Sequence, residues 1–550
     1  MKINISKEYT PKIVEVMKDY SKEQFGKDVV AGVIVAIIAL PLSIALALAS
    51  GVSPEQGLYT AIFAGFVIAL FGGSRVQISG PTAAFATIVA GIVATKGIAG
   101  LATATIMAGI ILVLMGICKF GYLIKFIPIT IVTGFTTGIA VTIVIGQIKD
   151  FMGLTYTDTP IETIEKLEAC LGALSTVNIM ALVVGMISLV ILIAWPKINA
   201  KIPASLIAVI AGIAIVKFGN LEVNTIGSLY VISNQLPTPS LPDMNYDLVS
   251  SLLPDAFTIA VLAAIESLLS SVVSDGMIGD RHNPNAELIA QGAGNITSAL
   301  FGGIPATGAI ARTAANVKNG GRSPISGMVH SIVLVLILVI LMPYAALIPM
   351  PTIAAILFVV AYNMSEWREF LSLIKKAPKS DSIVLVVTFI LTVVFDLVVA
   401  IELGLLLAAI LLIKRMSEVT DVKEWTYDTS VNDELKSVPK GTLVYEMEGP
   451  MFFAAADKIM KVYKDKHTKV IILRMRNVPS MDMSALRQME ALLKVCKKQG
   501  IILLFSHVAE QPMRVMEKSG FVEEVGLKNY CTHIDDALAR AEKFCKRSER

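Results

Sequence analysis

The sequence predicts a polytopic α-helical membrane protein of about fourteen spans, built as a seven-plus-seven inverted repeat and followed by a small α/β domain. Three observations carry this. The chain is 55% hydrophobic and only 17% charged over 550 residues, where soluble domains run near a quarter charged. The stretch Ala69-Leu70-Phe71-Gly72-Gly73 recurs letter for letter as Ala299-Leu300-Phe301-Gly302-Gly303, and each copy leads into a run of small residues headed by Pro81 or Pro305. From about residue 420 the composition turns to that of a soluble domain.

Taken in order, residues 1–27 are charged and read as a cytoplasmic segment. Apolar runs of about the 17–25 residues that cross a bilayer fall near 28–50, 54–72, 98–118, 126–148, 177–195, 203–217, 251–273, 323–343, 346–362, 381–397 and 399–415. Shorter, Gly-rich segments at 80–95, 285–303 and 306–318 complete a transporter-like domain over 28–418. Two interrupted segments at corresponding places in two halves are the sequence signature of a carrier binding site. Lys and Arg collect in alternate loops, at Lys119, Lys197, Arg281, Lys318, Arg322, Lys375 and Lys376, whereas the loop near 150–175 holds Asp150, Glu162, Glu165 and Glu168. This positive-inside bias puts both termini in the cytoplasm of a cell (inner) membrane.

A linker over 419–439 leads to the soluble domain, 440–547. Thr442–Met447, Val470–Met475 and Ile501–Phe505 read as strands, and 453–464, 484–498, 511–518 and 535–545 as helices. Alternating strand and helix imply a central sheet covered by helices.

The chemistry gathers at Ala299–Arg312. Backbone broken by Gly and Pro at membrane depth is tolerated only inside protein or along a cavity. A half-helix restarting there aims unpaired N–H groups and a partial positive charge into that cavity, and Arg312 adds a full charge about two turns in. The combination reads as an anion site. Glu266 lies mid-way along the run 251–273; a charge at that depth is retained for a cavity, a partner or a coupled ion. The alternative for Glu266 is a structural ion pair, and for Arg312 a position near the cytoplasmic end of its span.

Other chemistries are excluded. Cys118, Cys170, Cys496, Cys531 and Cys545 show neither metal-ligand nor disulfide spacing, and the formal net charge of +3 gives no case for nucleic acid. Without a catalytic triad or a Walker loop, the chain reads as a non-enzyme that needs no cofactor and draws its energy from an ion gradient.

Pro54-Glu55-Gln56-Gly57-Leu58-Tyr59, Ser74-Arg75, Ser79-Gly80-Pro81, Ala264-Ile265-Glu266-Ser267-Leu268-Leu269-Ser270 and Ala309-Ile310-Ala311-Arg312-Thr313 resemble the SulP (sulfate permease) anion transporters. The tail, with Met481-Asp482-Met483-Ser484, resembles the STAS domain that follows the membrane part in that family. The resemblance implies a core domain (spans 1–4 and 8–11) and a gate domain (spans 5–7 and 12–14), with an elevator-like movement between them and a homodimeric assembly in membrane lipid. It also implies that half-helices 3 and 10 face each other across the substrate anion. Carried onto this sequence, the substrate positions are Ser43, Thr82, Ala83, Ala84, Phe85, Thr307, Gly308, Ala309 and Arg312.

In sodium-using members an acidic residue and a hydroxyl one turn later bind the ion; here these are Glu266 and Ser270. Glu in place of Asp favours a coupled proton over sodium. Leu42 stands where many relatives have Gln, which leaves the substrate open. The wording lies nearest bacterial members associated with C4-dicarboxylates, so sulfate or a C4-dicarboxylate carried with protons is the first expectation. Sodium-coupled bicarbonate transport, an uncoupled anion channel, and an anion sensor signalling through the STAS domain to a cytoplasmic protein partner are the alternatives. Ser484 is expected to cap its helix.

Overall fold

The computed structural model describes residues 8–122, 128–156, 160, 162–199, 202–242, 245–395, 397–425, 438–461 and 467–547. Residues 1–7 of the expected N-terminal segment and 426–437 of the expected linker lie outside them. The chain divides into two compact units, Met1–Leu405 and Leu406–Arg550.

Helices occupy every predicted membrane segment. They are α1 (Lys22–Ala49), α2 (Pro54–Phe71), α3 (Ala86–Ile117), α4 (Ile129–Met152), α5 (Ile179–Ile198), α6 (Ala204–Gly219) and α7 (Leu253–Ile278). There follow α8 (Pro284–Leu300), α9 (Ile310–Lys318), α10 (Pro324–Ala345), α11 (Met350–Met364), α12 (Lys379–Val394) and α13 (Leu397–Val419). Among the described residues, seven helices are long and apolar enough to cross a membrane. The two predicted segments at 80–95 and 98–118 are the two arms of α3, separated at Gly97, whose φ of 70° lies outside helical geometry and suits a residue without Cβ.

The halves interlock reciprocally. The turn after α2 is held by Glu287 of α8: its Oε2 accepts from the N–H groups of Gly73 (2.9 Å) and Ser74 (3.1 Å), and its Oε1 from Gln77 and Gln291. The turn after α8 is held by α2: Gln56 donates to the Gly302 carbonyl at 2.9 Å, and the Thr60 hydroxyl accepts from Ile304 N at 2.7 Å. Thr60 opens a π-helical turn, Thr60–Ala64. Gly73 is required because a Cβ would lie 2.0 Å from the Asn283 carbonyl oxygen.

Beyond these turns, β1 (Ser79–Gly80) pairs antiparallel with β2 (Thr307–Gly308), Ser79 opposite Gly308 and Gly80 opposite Thr307. Such an exchange is what a two-fold relation between inverted repeats produces. From this crossing start the two half-helices. Helix α3 packs on α7 and α8, and α1 on α10; α4 packs on α11 and α12, and α5 on α11. These are the two bundles, core and gate, that the family resemblance implies.

The second unit holds a five-stranded sheet in the order β3 (Asp421–Glu424), β4 (Thr442–Glu448), β5 (Val470–Asn477), β6 (Ile502–Ser506), β7 (Tyr530–Cys531). The pairing β3–β4 is antiparallel and the rest parallel. Helices α14 (Met483–Lys498) and α15 (Glu510–Lys518) lie between strands, and α16 (Ile534–Arg547) follows β7. Sequence reading missed β3, which lies in the expected linker, and the two-residue β7. It also misplaced a cap: Asp482, not Ser484, receives the Ala485 N–H, at 2.9 Å. A carboxylate one position ahead of the helix is a strong acceptor for that amide.

Candidate anion-binding site

The first half-helix begins with a short 3-10 turn, Ala83–Phe85, that runs into α3. Thr82 occupies its N-cap position in extended geometry (φ −124°, ψ 159°) but makes no cap bond. Its hydroxyl donates instead to Glu266 Oε2 of α7 at 2.9 Å. The first amides of a helix lack a partner from a preceding turn. Here Phe85 N returns to the Thr82 carbonyl at 3.3 Å, and with the Thr82 side chain turned away the amides of Ala83 and Ala84 are those that such a terminus can present to an anion. Ala83, Ala84 and Phe85 are buried around it.

The second half-helix starts differently. The hydroxyls of Thr307 and Ser267 bond at 2.7 Å, and Thr307 also donates to the Ala263 carbonyl. Gly308 N donates to Ser267 Oγ (3.3 Å) and Ala309 N to the Ile78 carbonyl (2.9 Å). These amides are engaged. What α9 contributes is Arg312, 2% exposed. Its Nη2 donates to the Pro81 carbonyl at 2.7 Å, one residue before Thr82. Nε and Nη1 have no partner among the described residues, and no carboxylate pairs with the guanidinium there. Gly80 makes the approach possible, since a Cβ on it would lie 2.6 Å from Nη1. A buried cation without a counter-ion is strongly disfavoured unless an anion completes it.

Glu266 lines a cavity of about 60 Å³ between the bundles. The walls are apolar: Ile131, Val132 and Phe135 of α4, Leu262, Ile265 and Leu269 of α7, Ile310 of α9, and Ile401 and Leu405 of α13. Thr136 and Glu266 are the polar lining groups. Ser270, the expected companion of Glu266, donates to Thr313 Oγ1 at 3.3 Å, and Thr313 Oγ1 in turn accepts from Ile78 N at 3.0 Å. Ser43 is buried with its hydroxyl unpartnered and does not line the cavity; a Cβ on Gly57 would lie 2.1 Å from its carbonyl oxygen. Among the described residues no cluster of His, Cys, Asp and Glu forms a metal site.

The structure adds residues that the sequence reading did not single out for the site: Gly80, Pro81, Ser267 and Thr313. Ser267 had a signal, standing with Ser271 and Ser274 on one face of α7. His330 is fully buried on α10 with both ring nitrogens unpartnered among the described residues. Asn295 braces the entry to β2, donating to the Ala306 carbonyl and accepting from Ala306 N.

Residues 25–388 match the model of the sulfate permease family, and 435–540 that of the STAS domain. The chain belongs to the sulfate permease family. A putative sulfate transporter of Bacillus subtilis, YvdB, is 40% identical over 94% of this chain and 98% of that protein. A bicarbonate transporter, BicA, of Synechocystis is 30% identical over 89% and 90%. The solved murine anion transporter Slc26a9 shares the fold, with a TM-score of 0.89 at 19% identity over 98% of this chain and 95% of that one. The transmembrane domain of a cyanobacterial BicA aligns with a TM-score of 0.62 at 29% identity, covering 70% of this chain and 97% of that one. The protein is a multi-pass membrane anion transporter, not an enzyme.

Proposed function

We propose that this transporter is a secondary active symporter that carries sulfate or a C4-dicarboxylate together with a proton. The supporting observation is the buried guanidinium of Arg312, anchored by the Pro81 carbonyl and lacking a counter-ion among the described residues. The substrate anion supplies that counter-ion. It rests against Arg312 and the first-turn amides of Ala83 and Ala84, beside the buried Phe85 whose own amide returns to the Thr82 carbonyl, with Thr307, Gly308 and Ala309 shaping the opposite wall.

Coupling follows from Glu266, whose carboxylate receives the Thr82 hydroxyl at the head of the same half-helix. Ionised, it repels an incoming anion; two like charges about 6 Å apart at an effective dielectric near 20 repel by about 3 kcal/mol. Protonated, it leaves Arg312 as the dominant charge. Proton and anion therefore bind together, and the loaded core slides against the gate as an elevator in each protomer of a homodimer. The protein works in the cell membrane with both termini in the cytoplasm, where the STAS domain is free to meet a protein partner.

A second reading, sodium-coupled bicarbonate transport, is favoured by the likeness to BicA proteins and by Ser270 standing one turn from Glu266. In it, Ser270 would have to leave Thr313. The deciding experiment is uptake of labelled sulfate, fumarate and bicarbonate into proteoliposomes under an inward proton or an inward sodium gradient. Accumulation of sulfate or fumarate under protons alone is expected. Accumulation of bicarbonate under sodium alone would replace this reading with the second.

A further inference from the structure

The soluble domain carries a polar row that no transport role absorbs. Glu446, Arg474, Ser506 and Cys531 stand opposite one another across β4, β5, β6 and β7, so their side chains share one face of the sheet. One layer below, Val444, Ile472 and Leu504 pack under Ile534, Ala537 and Leu538 of α16. The row lies at the carboxyl ends of the parallel strands, where open α/β sheets bind ligands.

Its hydrogen bonding is incomplete. Arg474 contacts Glu446 through Nη1 at 3.3 Å and stacks over Trp425 at 5.7 Å, but among the described residues its Nε has no partner. Ser506 beside it is fully buried with its hydroxyl unpartnered. His507 follows with an unpartnered Nδ1 and a φ of 53°, a conformation that a residue with a side chain adopts at a cost. Its ring meets that of His533 at 4.9 Å on the rim. Exposed Arg476 lies two residues beyond Arg474 on the same face. Glu446 lies against Arg474, and on the rim the Asp535 carboxylate stands 3.1 Å from His533 Nδ1, so the two arginines face two carboxylates and what the row offers a ligand is unused donors rather than net charge. Burial, and then the charges of His533, Arg474 and Arg476, push the His507 imidazole below its ordinary range against the opposing pull of Asp535.

We infer that Arg474, Ser506 and His507 form a regulatory site on the STAS domain for a tetrahedral oxyanion, separate from the transport site. The missing partners are acceptors for an N–H and an O–H donor on one face, which a sulfate or phosphoryl group supplies. The histidine pair turns aside to admit it. The ligand is either free sulfate or the phosphate group of a cytoplasmic metabolite.

Trp425 provides the test, because the chain has three tryptophans and Arg474 stacks on this one. In the full-length W195F/W367F protein in detergent, emission is titrated with sulfate or with inorganic phosphate, against chloride at matched ionic strength. A saturable change with either oxyanion but not with chloride is expected, and the arm that saturates at lower concentration names the source. Arg474→Gln and the near-isosteric Ser506→Ala should each raise the midpoint at least tenfold, while Arg312→Ala leaves it in place. No saturable change overturns the inference. So does a response that survives both soluble-domain variants, or one that vanishes with Arg312→Ala, since that signal belongs to the membrane site.

Discussion

The two half-helices follow the two copies of one repeated stretch, yet they are built differently where they meet. The first offers a helix start whose cap residue, Thr82, has turned to Glu266. Ahead of the second, the amides of Gly308 and Ala309 are held by Ser267 and Ile78, and the helix itself brings the charge of Arg312. Two similar frames thus carry different side chains, and under the proposed function this divides the labour: one half would couple the ion, the other attract the anion. The β1–β2 crossing lets each reach the other, because Arg312 anchors to Pro81 of the first half and Thr313 receives Ile78 N.

This division can be broken at several points. Removing the charge has the largest effect. Arg312→Ala is expected to weaken equilibrium anion binding at least tenfold, a loss of about 1.4 kcal/mol or more; wild-type affinity would show that the amides of the first half-helix suffice. Gly80→Ala comes next. Its Cβ would fall 2.6 Å from Arg312 Nη1, displacing the guanidinium and lowering affinity severalfold. Because it acts through Arg312, it should add little on an Arg312→Ala background, and a double-mutant cycle reads the difference. Additive losses would mean that Gly80 matters to packing alone.

Thr82→Val tests the other side. It removes the donor to Glu266, worth about 1–2 kcal/mol, and should slow proton-driven uptake more than it weakens anion binding, with Thr82→Ser restoring the rate. Equal losses in both would place Thr82 with the anion instead. The smallest effect is expected at Ser270→Ala, whose hydroxyl serves Thr313: proton-driven uptake should stay within about twofold. A collapse of sodium-driven uptake in that variant would sharpen the comparison towards a sodium site.

Hydropathy and punctuation made most of the frame legible. Apolar runs marked the helices, and the repeated Ala69–Gly73 and Ala299–Gly303 stretches marked where each half breaks. Glu266 and Arg312 stood out because charge is rare at that depth. What was not legible is which side chains meet across the halves. Thr82, Ser270 and Thr313 are all hydroxyls at plausible helical spacing, and only the fold decides that Thr82 reaches Glu266 while Ser270 turns to Thr313. Glu287 was passed over because its partners lie more than two hundred residues away in Gly73 and Ser74. The strands β3 and β7 were missed because edge strands of two to four residues carry too little periodicity to see.

The division of labour meets its most direct test in proton movement. Proteoliposomes loaded with a pH-sensitive dye are given external sulfate or fumarate, and internal acidification is followed beside anion binding in the same preparation, for the wild type and for Glu266→Gln. The wild type should acidify as the anion enters, and Glu266→Gln should bind the anion without acidifying. Acidification at the wild-type rate in Glu266→Gln would contradict the coupling role of Glu266 and leave Arg312 serving a carrier whose proton travels elsewhere.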